Sequence, residues 1–270
     1  MPAGGTSRPV LDVRPAEAFA AGHAPGAANI PAKELAARAH ELPPKGAAID
    51  LFDADPADLA VAAYMLRKRG YAVREVRLSA SELCECGPSR ARLWQPSPFL
   101  VEALECIRTQ RSAGAAAGRA LDLACGSGRD AAYLALAGYA VEAIDRLPDA
   151  LERARDLARR SGVQVETVQQ DLRRSPTLPA ERYDLVAVVR FLHRPLLPVI
   201  RQAVAPGGYI VYEAFHRRDA DQGRRSLKAG HVLEDGELAA AFAGFEPLIV
   251  RDGIERDGRV FSQLLARRSV

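Results

Sequence analysis

The stretch Leu121-Asp122-Leu123-Ala124-Cys125-Gly126-Ser127-Gly128-Arg129-Asp130 runs from an apolar segment through a glycine turn towards a helix. Gly126 and Gly128 permit a tight strand-to-helix turn and let a ligand approach the backbone closely. A G-x-G turn alone also fits a dinucleotide site. Three features narrow it. The third glycine of a G-x-G-x-x-G pattern is missing, because Ala131 stands there. Asp122 lies within the strand just before the turn. A second carboxylate, Asp145, ends the next strand, where it can accept hydrogen bonds from ribose hydroxyls. A third, Asp171 in Gln169-Gln170-Asp171-Leu172, follows the strand after that and can meet an adenine amino group.

Around this stretch the pattern alternates between strand and helix. Strands are expected at 120–124, 140–144, 163–168, 183–189, 209–212, 247–250 and 259–266, with helices in most of the intervals. Alternation of this kind implies a parallel sheet. The last two strands are joined by residues 251–258. The pairs Asp252-Gly253 and Asp257-Gly258 in that segment favour tight turns, so an antiparallel edge hairpin is expected. A helix over 99–110 opens this half. Residues 87–98 carry three prolines and little periodicity, which reads as a linker. Ahead of it lies a smaller series, with strands at 10–13, 47–52 and 73–78, a turn cluster at 22–27, and helices over 34–42 and 59–69. The expected fold is α/β in two domains: 1–86, linker 87–98, and 99–270.

In the first domain, Leu11-Asp12-Val13-Arg14 is followed in order by Glu17, Phe19, Gly22-His23, Pro25-Gly26-Ala27 and Asn29-Ile30-Pro31. This resembles the rhodanese-like domain, a small parallel-sheet α/β fold. Active members carry a cysteine after the central strand, at the start of a loop whose backbone N–H groups cradle an anionic persulfide. Here Asp53 stands at that position, after Ile49-Asp50-Leu51-Phe52. A carboxylate is no sulfur nucleophile and repels the anion that such a cradle attracts. The resemblance therefore implies a catalytically inactive domain serving stability, dimerisation (a homodimer) or partner binding.

The glycine turn with Asp122, Asp145 and Asp171 resembles a class I S-adenosylmethionine-dependent methyltransferase. With Gly128-Arg129-Asp130, Tyr133-Leu134-Ala135 and Gly138-Tyr139-Ala140-Val141 it is similar to the tellurite-resistance type. The resemblance implies a Rossmann-like seven-stranded domain and S-adenosyl-L-methionine as cofactor, with Asp122, Ala124, Gly126, Gly128, Asp145 and Asp171 lining the donor site.

Ligands of open parallel sheets meet the carboxyl ends of the strands. The segment Val189-Arg190-Phe191-Leu192-His193-Arg194 ends the fourth strand, so Arg190 and His193 are expected near the reacting groups. His193 is the expected general base. Arg190 and Arg194 are expected to hold an anionic substrate, and Arg190 is placed with the cofactor residues as well. Glu213, at the end of the fifth strand, is the third expected catalytic residue. Beyond it, Arg217, Arg218, Arg224, Arg225 and Lys228 face only Asp219 and Asp221, which suits a lid over an anionic acceptor. The acceptor is expected to be a small molecule. A single base near the fourth strand favours a thiol or chalcogen compound, whose nucleophile needs little proton removal. An RNA or protein acceptor, and a sensor that binds the cofactor without turnover, remain as alternatives.

Composition agrees. Hydrophobic residues make up 48% and charged residues 26% of 270, which excludes a disordered chain, a coiled coil and a collagen-like fibre. A net charge of +3 is too weak a field for a nucleic-acid binder, which disfavours nucleic acid as a partner. No apolar run approaches the length of a membrane helix, and Met1-Pro2-Ala3-Gly4-Gly5 has no signal-peptide pattern, so a cytoplasmic location is expected. Cys84, Cys86, Cys106 and Cys125 form no disulfide framework. Cys84-Glu85-Cys86 has no second Cys/His pair nearby, so no metal site is expected.

Overall fold

The computed structural model describes residues 8–110, 117–221 and 229–270. The chain divides into two compact units, Met1–Gln95 and Pro96–Val270.

In the first unit Val10–Asp12 (β1), Ala16–Ala21 (α1), Ala28–Asn29 (β2), Ala48–Phe52 (β3), Pro56–Lys68 (α2) and Ala72–Glu75 (β4) follow one another. The strands form one parallel sheet in the order β2-β1-β3-β4. Leu11, Ile49, Leu51, Ala62 and Leu66 fill its core. Asp55 caps α2: its side chain accepts from the N–H groups of Ala57 and Asp58, and Pro56 takes the first helical position, where no N–H is needed. The helix expected over 34–42 is instead two separate 3-10 turns, Ala32–Glu34 and Ala39–Glu41. Pro31 precedes the segment and Pro43-Pro44 follow it, and Arg38 spends its guanidinium on Glu34, Glu41 and the Asn29 carbonyl.

Residues 79–95 lie on this first unit. Glu85 bridges His23 through paired backbone hydrogen bonds of 2.8 and 3.0 Å, and Leu93 joins the core at 7% exposure. The expected linker is thus partly a strap over the first domain. The next helix starts at Pro98.

The second unit contains Pro98–Gln110 (α3), Arg119–Leu123 (β5), Arg129–Leu136 (α4), Ala140–Asp145 (β6), Pro148–Arg160 (α5), Val165–Gln169 (β7), Tyr183–Val189 (β8), Leu197–Ala203 (α6), Val204–Phe215 (β9), Arg217–Asp221 (α7), Glu237–Ala241 (α8), Phe245–Arg256 (β10) and Arg259–Arg268 (β11). Its seven strands lie in the order β10-β11-β9-β8-β5-β6-β7. All neighbours are parallel except β11, which is antiparallel to both β9 and β10. The central strands read as nearly continuous apolar runs because both faces are covered. Phe99, Leu134, Leu185 and Val211 belong to one apolar cluster, and Val186, Ile200, Ile210 and Leu264 to the other.

The edge hairpin is longer and tighter than the sequence suggests. Pairing continues to Arg256 with Arg259, so only Asp257-Gly258 forms the turn. Both have positive φ (52° and 69°), which the type I′ hairpin turn requires. Asp252-Gly253, expected as a second turn, lies inside the strand as a bulge opposite Ser262. Among the described residues no helix is long and apolar enough to cross a membrane.

Candidate active site

The strand order reverses between β5 and β8, which pair side by side. Their carboxyl ends therefore open a crevice, the usual ligand site of such sheets. On each side one non-glycine residue is left-handed: Ala124 at φ 57° and Arg190 at φ 59°. That conformation costs an L-residue about 1–2 kcal/mol, and such strain concentrates at functional sites.

The glycine loop is tied to the neighbouring strand. Asp145 accepts the Gly126 N–H through Oδ2 and the Leu147 N–H through Oδ1, both at 2.9 Å. Gly126 has φ 54°, and a Cβ there would point into open space. Gly128 has φ 76°, and its Cβ would lie 2.5 Å from that of Ala154 on α5. The first glycine leaves room for a ligand, and the second lets α4 pack against α5. Beside the loop lies a cavity of about 380 Å3, whose lining includes Ala124, Asp145, Leu147, Asp171, Leu172, Phe191 and His231. Its volume falls within the range of small-molecule sites, roughly 300–1,000 Å3. Its wall mixes the carboxylates Asp145 and Asp171 with Arg146, Gln170 and Arg173, and its apolar parts come from Ala124, Leu147, Leu172 and Phe191. Such a lining fits a purine nucleoside, with the base between Leu147, Leu172 and Phe191 and hydroxyls at a carboxylate. Asp171 accepts the Arg173 N–H at 3.1 Å.

Behind the loop, Asp122 is 2% exposed and its Oδ2 has no hydrogen-bond partner. Burial pushes its carboxyl well above the ordinary range, and the charge of Asp130 adds to the effect. Asp130, which accepts the Ser97 N–H at 2.7 Å, is raised for the same first reason. Burial also raises the Cys125 thiol, which leaves it unreactive.

The acceptor side of the crevice sorts the expected residues. Glu213, expected to be catalytic, is fully buried, and its carboxylate is occupied by Arg256 (2.8 and 2.9 Å), Gln263 (2.8 Å) and Ser97 (3.3 Å). A carboxylate so held has no free lone pair directed at a substrate, and its part is that of an anchor between β9 and the edge hairpin. Arg194 is spent on Glu237 (2.6 and 2.8 Å) and the Val232 carbonyl (2.9 Å). His193 sits half-buried just before a 3-10 turn and makes no side-chain cap there. Arg190 remains exposed, over the Phe261 ring at 5.7 Å. In the expected basic lid, Arg217 pairs with Glu234 at 2.7 Å and Asp219 holds Arg259. Arg224, Arg225 and Lys228 lie outside the described residues.

Several residues of the cavity wall escape a sequence reading. Leu147 and Leu172 follow the two carboxylates by two and one positions, a pattern that could have found them. Phe191 lies in the quoted fourth-strand segment. His231 reaches the cavity, and Arg256 reaches Glu213, from far along the chain, and neither leaves a local signal.

In the first unit the motif residues hold the fold. Arg14 clamps Asp12 with contacts of 2.7–3.1 Å and donates to the Gly22 carbonyl. Asn29 donates to the carbonyls of Asp12 and Arg14. His23 stacks on Phe19 with ring centroids 4.0 Å apart. Asp53 accepts the Asp55 N–H through one oxygen, its other oxygen is buried without a hydrogen bond, and burial raises its carboxyl. Cys84 and Cys86 are exposed, and among the described residues no three His, Cys, Asp or Glu side chains stand close enough to hold a metal.

Comparison with known proteins gives the same division. Residues 120–208 match the family described as Methyltransferase domain, and residues 2–82 match the Rhodanese-like domain. An uncharacterized protein of Schizosaccharomyces pombe is 25% identical, over 96% of this chain and 93% of its own length. A ubiquinone biosynthesis O-methyltransferase of Salmonella typhimurium is 32% identical over 40% of this chain, which spans about half (47%) of that relative. Among solved structures, TehB from Haemophilus influenzae superposes with a TM-score of 0.52 at 19% identity, covering 63% of this chain and 62% of that one. The chain therefore joins a rhodanese-like domain to a methyltransferase domain.

Proposed function

We propose that the second domain binds S-adenosyl-L-methionine in the cavity beside Gly126 and transfers its methyl group to a small-molecule acceptor, a thiol or chalcogen compound. The observation that carries this reading is the pair of carboxylates, Asp145 and Asp171, on the wall of one mostly apolar cavity at the strand-order reversal. The bound donor would supply a methyl group already activated on a sulfonium. Asp145 would then hold the ribose hydroxyls while keeping the Gly126 loop in place, and Asp171 would face the adenine. Leu147, Leu172 and Phe191 would exclude water from the base. Asp122, with its unpartnered oxygen behind the loop, would offer a hydrogen-bonding group towards the donor. Ala124, Gly126 and Gly128 shape the backbone that the donor lies against. The catalytic contribution of such a site is mainly positioning, up to roughly 7–11 kcal/mol of the barrier. His193 is the group proposed to take a proton where the acceptor needs one, and Arg190 the group proposed to orient it.

The first domain is proposed to be non-catalytic and to serve stability, dimerisation or partner binding, because a carboxylate occupies the nucleophile position. The named relatives methylate oxygen in one case and carry the TehB name in another, so the acceptor panel must be broad. The test is release of S-adenosylhomocysteine from purified protein given S-adenosylmethionine with small thiols, selenite, tellurite, phenols or total tRNA. Turnover on thiols or chalcogen oxyanions is expected. Turnover on tRNA alone would sink the small-molecule assignment.

A further inference from the structure

The helix α2 carries no charged or amide side chain from Leu59 to Leu66, the run Leu59-Ala60-Val61-Ala62-Ala63-Tyr64-Met65-Leu66. A helix that is apolar all round is normally covered on every side. Here only one side is covered. Ala62, Ala63 and Leu66 are buried with Ile49 and Leu51 in the core of the first unit. Ala57, Ala60, Val61 and Tyr64 stand on the opposite face, where Val61 is 55% and Tyr64 60% exposed. The helix α5 has the same length and shows the ordinary arrangement: Glu152, Arg153, Arg155 and Arg159 make up its exposed side. The outer face of α2 is therefore built like an interior surface.

The two ends of that face carry opposite charge. Asp53, Asp55 and Asp58 lie at its start, and Arg67, Lys68 and Arg69 at its finish. Asp58 and Arg69 are about three turns apart, so they share one flank of the helix. Arg67 is paired with Glu75, and Lys68 rests over the Tyr64 ring of its own helix at 5.3 Å. Among the described residues neither Asp58 nor Arg69 makes an ion pair at salt-bridge distance. A parallel copy of this helix would bring like charges together. An antiparallel copy brings each acidic end against a basic end. A two-fold axis across the middle of the face then sets Asp58 opposite Arg69 twice, and the large Tyr64 of each copy over the small Ala57 and Ala60 of the other.

We propose that the exposed face of α2 is a homodimer interface, on which α2 of a second copy of this chain packs antiparallel. The inference rests on the association role given above to the first domain, and it names the face and the partner. One helix pair buries less than the roughly 1,200–2,000 Å2 of a stable interface, so the dimer is expected to dissociate at micromolar concentration.

Sedimentation equilibrium of the full chain over roughly 1–200 μM reads this directly. Wild type is expected to pass from monomer to dimer across that range. Tyr64→Glu is expected to stay monomeric and to melt close to wild type, because the ring it replaces is exposed. Asp58→Arg and Arg69→Asp each set like charges opposite one another twice, and each is expected to weaken the dimer about fivefold or more. The two combined restore the pairs with their signs exchanged, and dimerisation with them. A double variant no tighter than the singles would overturn the antiparallel pairing. Tyr64→Glu that dimerises like wild type would place the interface elsewhere, overturning the proposal while the first domain keeps its association role. Wild type that is monomeric at every concentration would refute the proposal and that dimerisation role together. Should Tyr64→Glu fail to fold, the two charge variants and their combination still decide.

Discussion

Two glycines of one motif have different duties, and substitution separates them. Gly126 borders open space, whereas Gly128 touches Ala154. Gly126→Arg is therefore expected to fold, at a cost of about 1 kcal/mol for the left-handed backbone, and to lose donor binding. Gly128→Ala is expected to lose about 2 kcal/mol or more of stability without any ligand, because its methyl overlaps α5. Thermal melts with and without S-adenosylhomocysteine read both effects, and the same pattern in the two variants would contradict the division. Asp53 poses the opposite question, whether one residue restores a lost chemistry. Asp55 already occupies the N–H groups of Ala57 and Asp58 that a persulfide cradle would use. Asp53→Cys alone is expected to yield no sulfurtransferase activity, and robust thiocyanate formation would show the loop to be more adaptable than that.

Between elements, the notable feature is the group of buried carboxyls where β5, α4 and β9 meet. Asp122 and Asp130 both hold their protons more tightly in the folded chain than an exposed carboxyl does. Stability from that preference is full below the ordinary carboxylate range and is lost as pH rises through the raised values. Asp122→Asn keeps an acceptor in place and removes the ionisation. The variant is expected to gain on wild type in urea unfolding as pH rises from about 5 to 8, with little difference in acid. A gap independent of pH would mean that Asp122 ionises normally. The same substitution should weaken donor binding, so stability and function pull in opposite directions here. Arg129, Arg190 and Arg256 are the cations that make the cluster tolerable.

At the scale of the whole chain, each unit has its own core, and the first extends past its apparent end. Leu93, within the proline-rich segment, packs with Leu11, Ile49 and Leu66. A fragment of residues 1–95 is expected to melt cooperatively, and one of residues 1–86 to be less stable by about 1.5–3 kcal/mol from the lost burial of Leu93. Equal melting temperatures would place the domain end where composition alone suggests.

The alternation of strands and helices and the glycine turn followed by Asp145 and Asp171 are legible along the chain, and the likeness to a rhodanese-like domain marks Asp53 as standing where active members carry a cysteine. The alternation and the glycine turn are local patterns, carried by periodicity and by residue types at short spacing. Read along the chain, 34–42 looks like a helix because helical spacing says nothing of the flanking prolines or of where Arg38 bonds. Asp252-Gly253 reads like a turn along the chain, since a bulge and a hairpin turn can both place a glycine at positive φ, as Gly253 is at 67°. Which charged residues are spent is visible only in the fold. Glu213 and Arg194 looked like Asp145 and Arg190 in the chain, yet their partners Arg256 and Glu237 come from more than forty residues away. Ion pairing is a property of distance in space, and no window along the chain contains it.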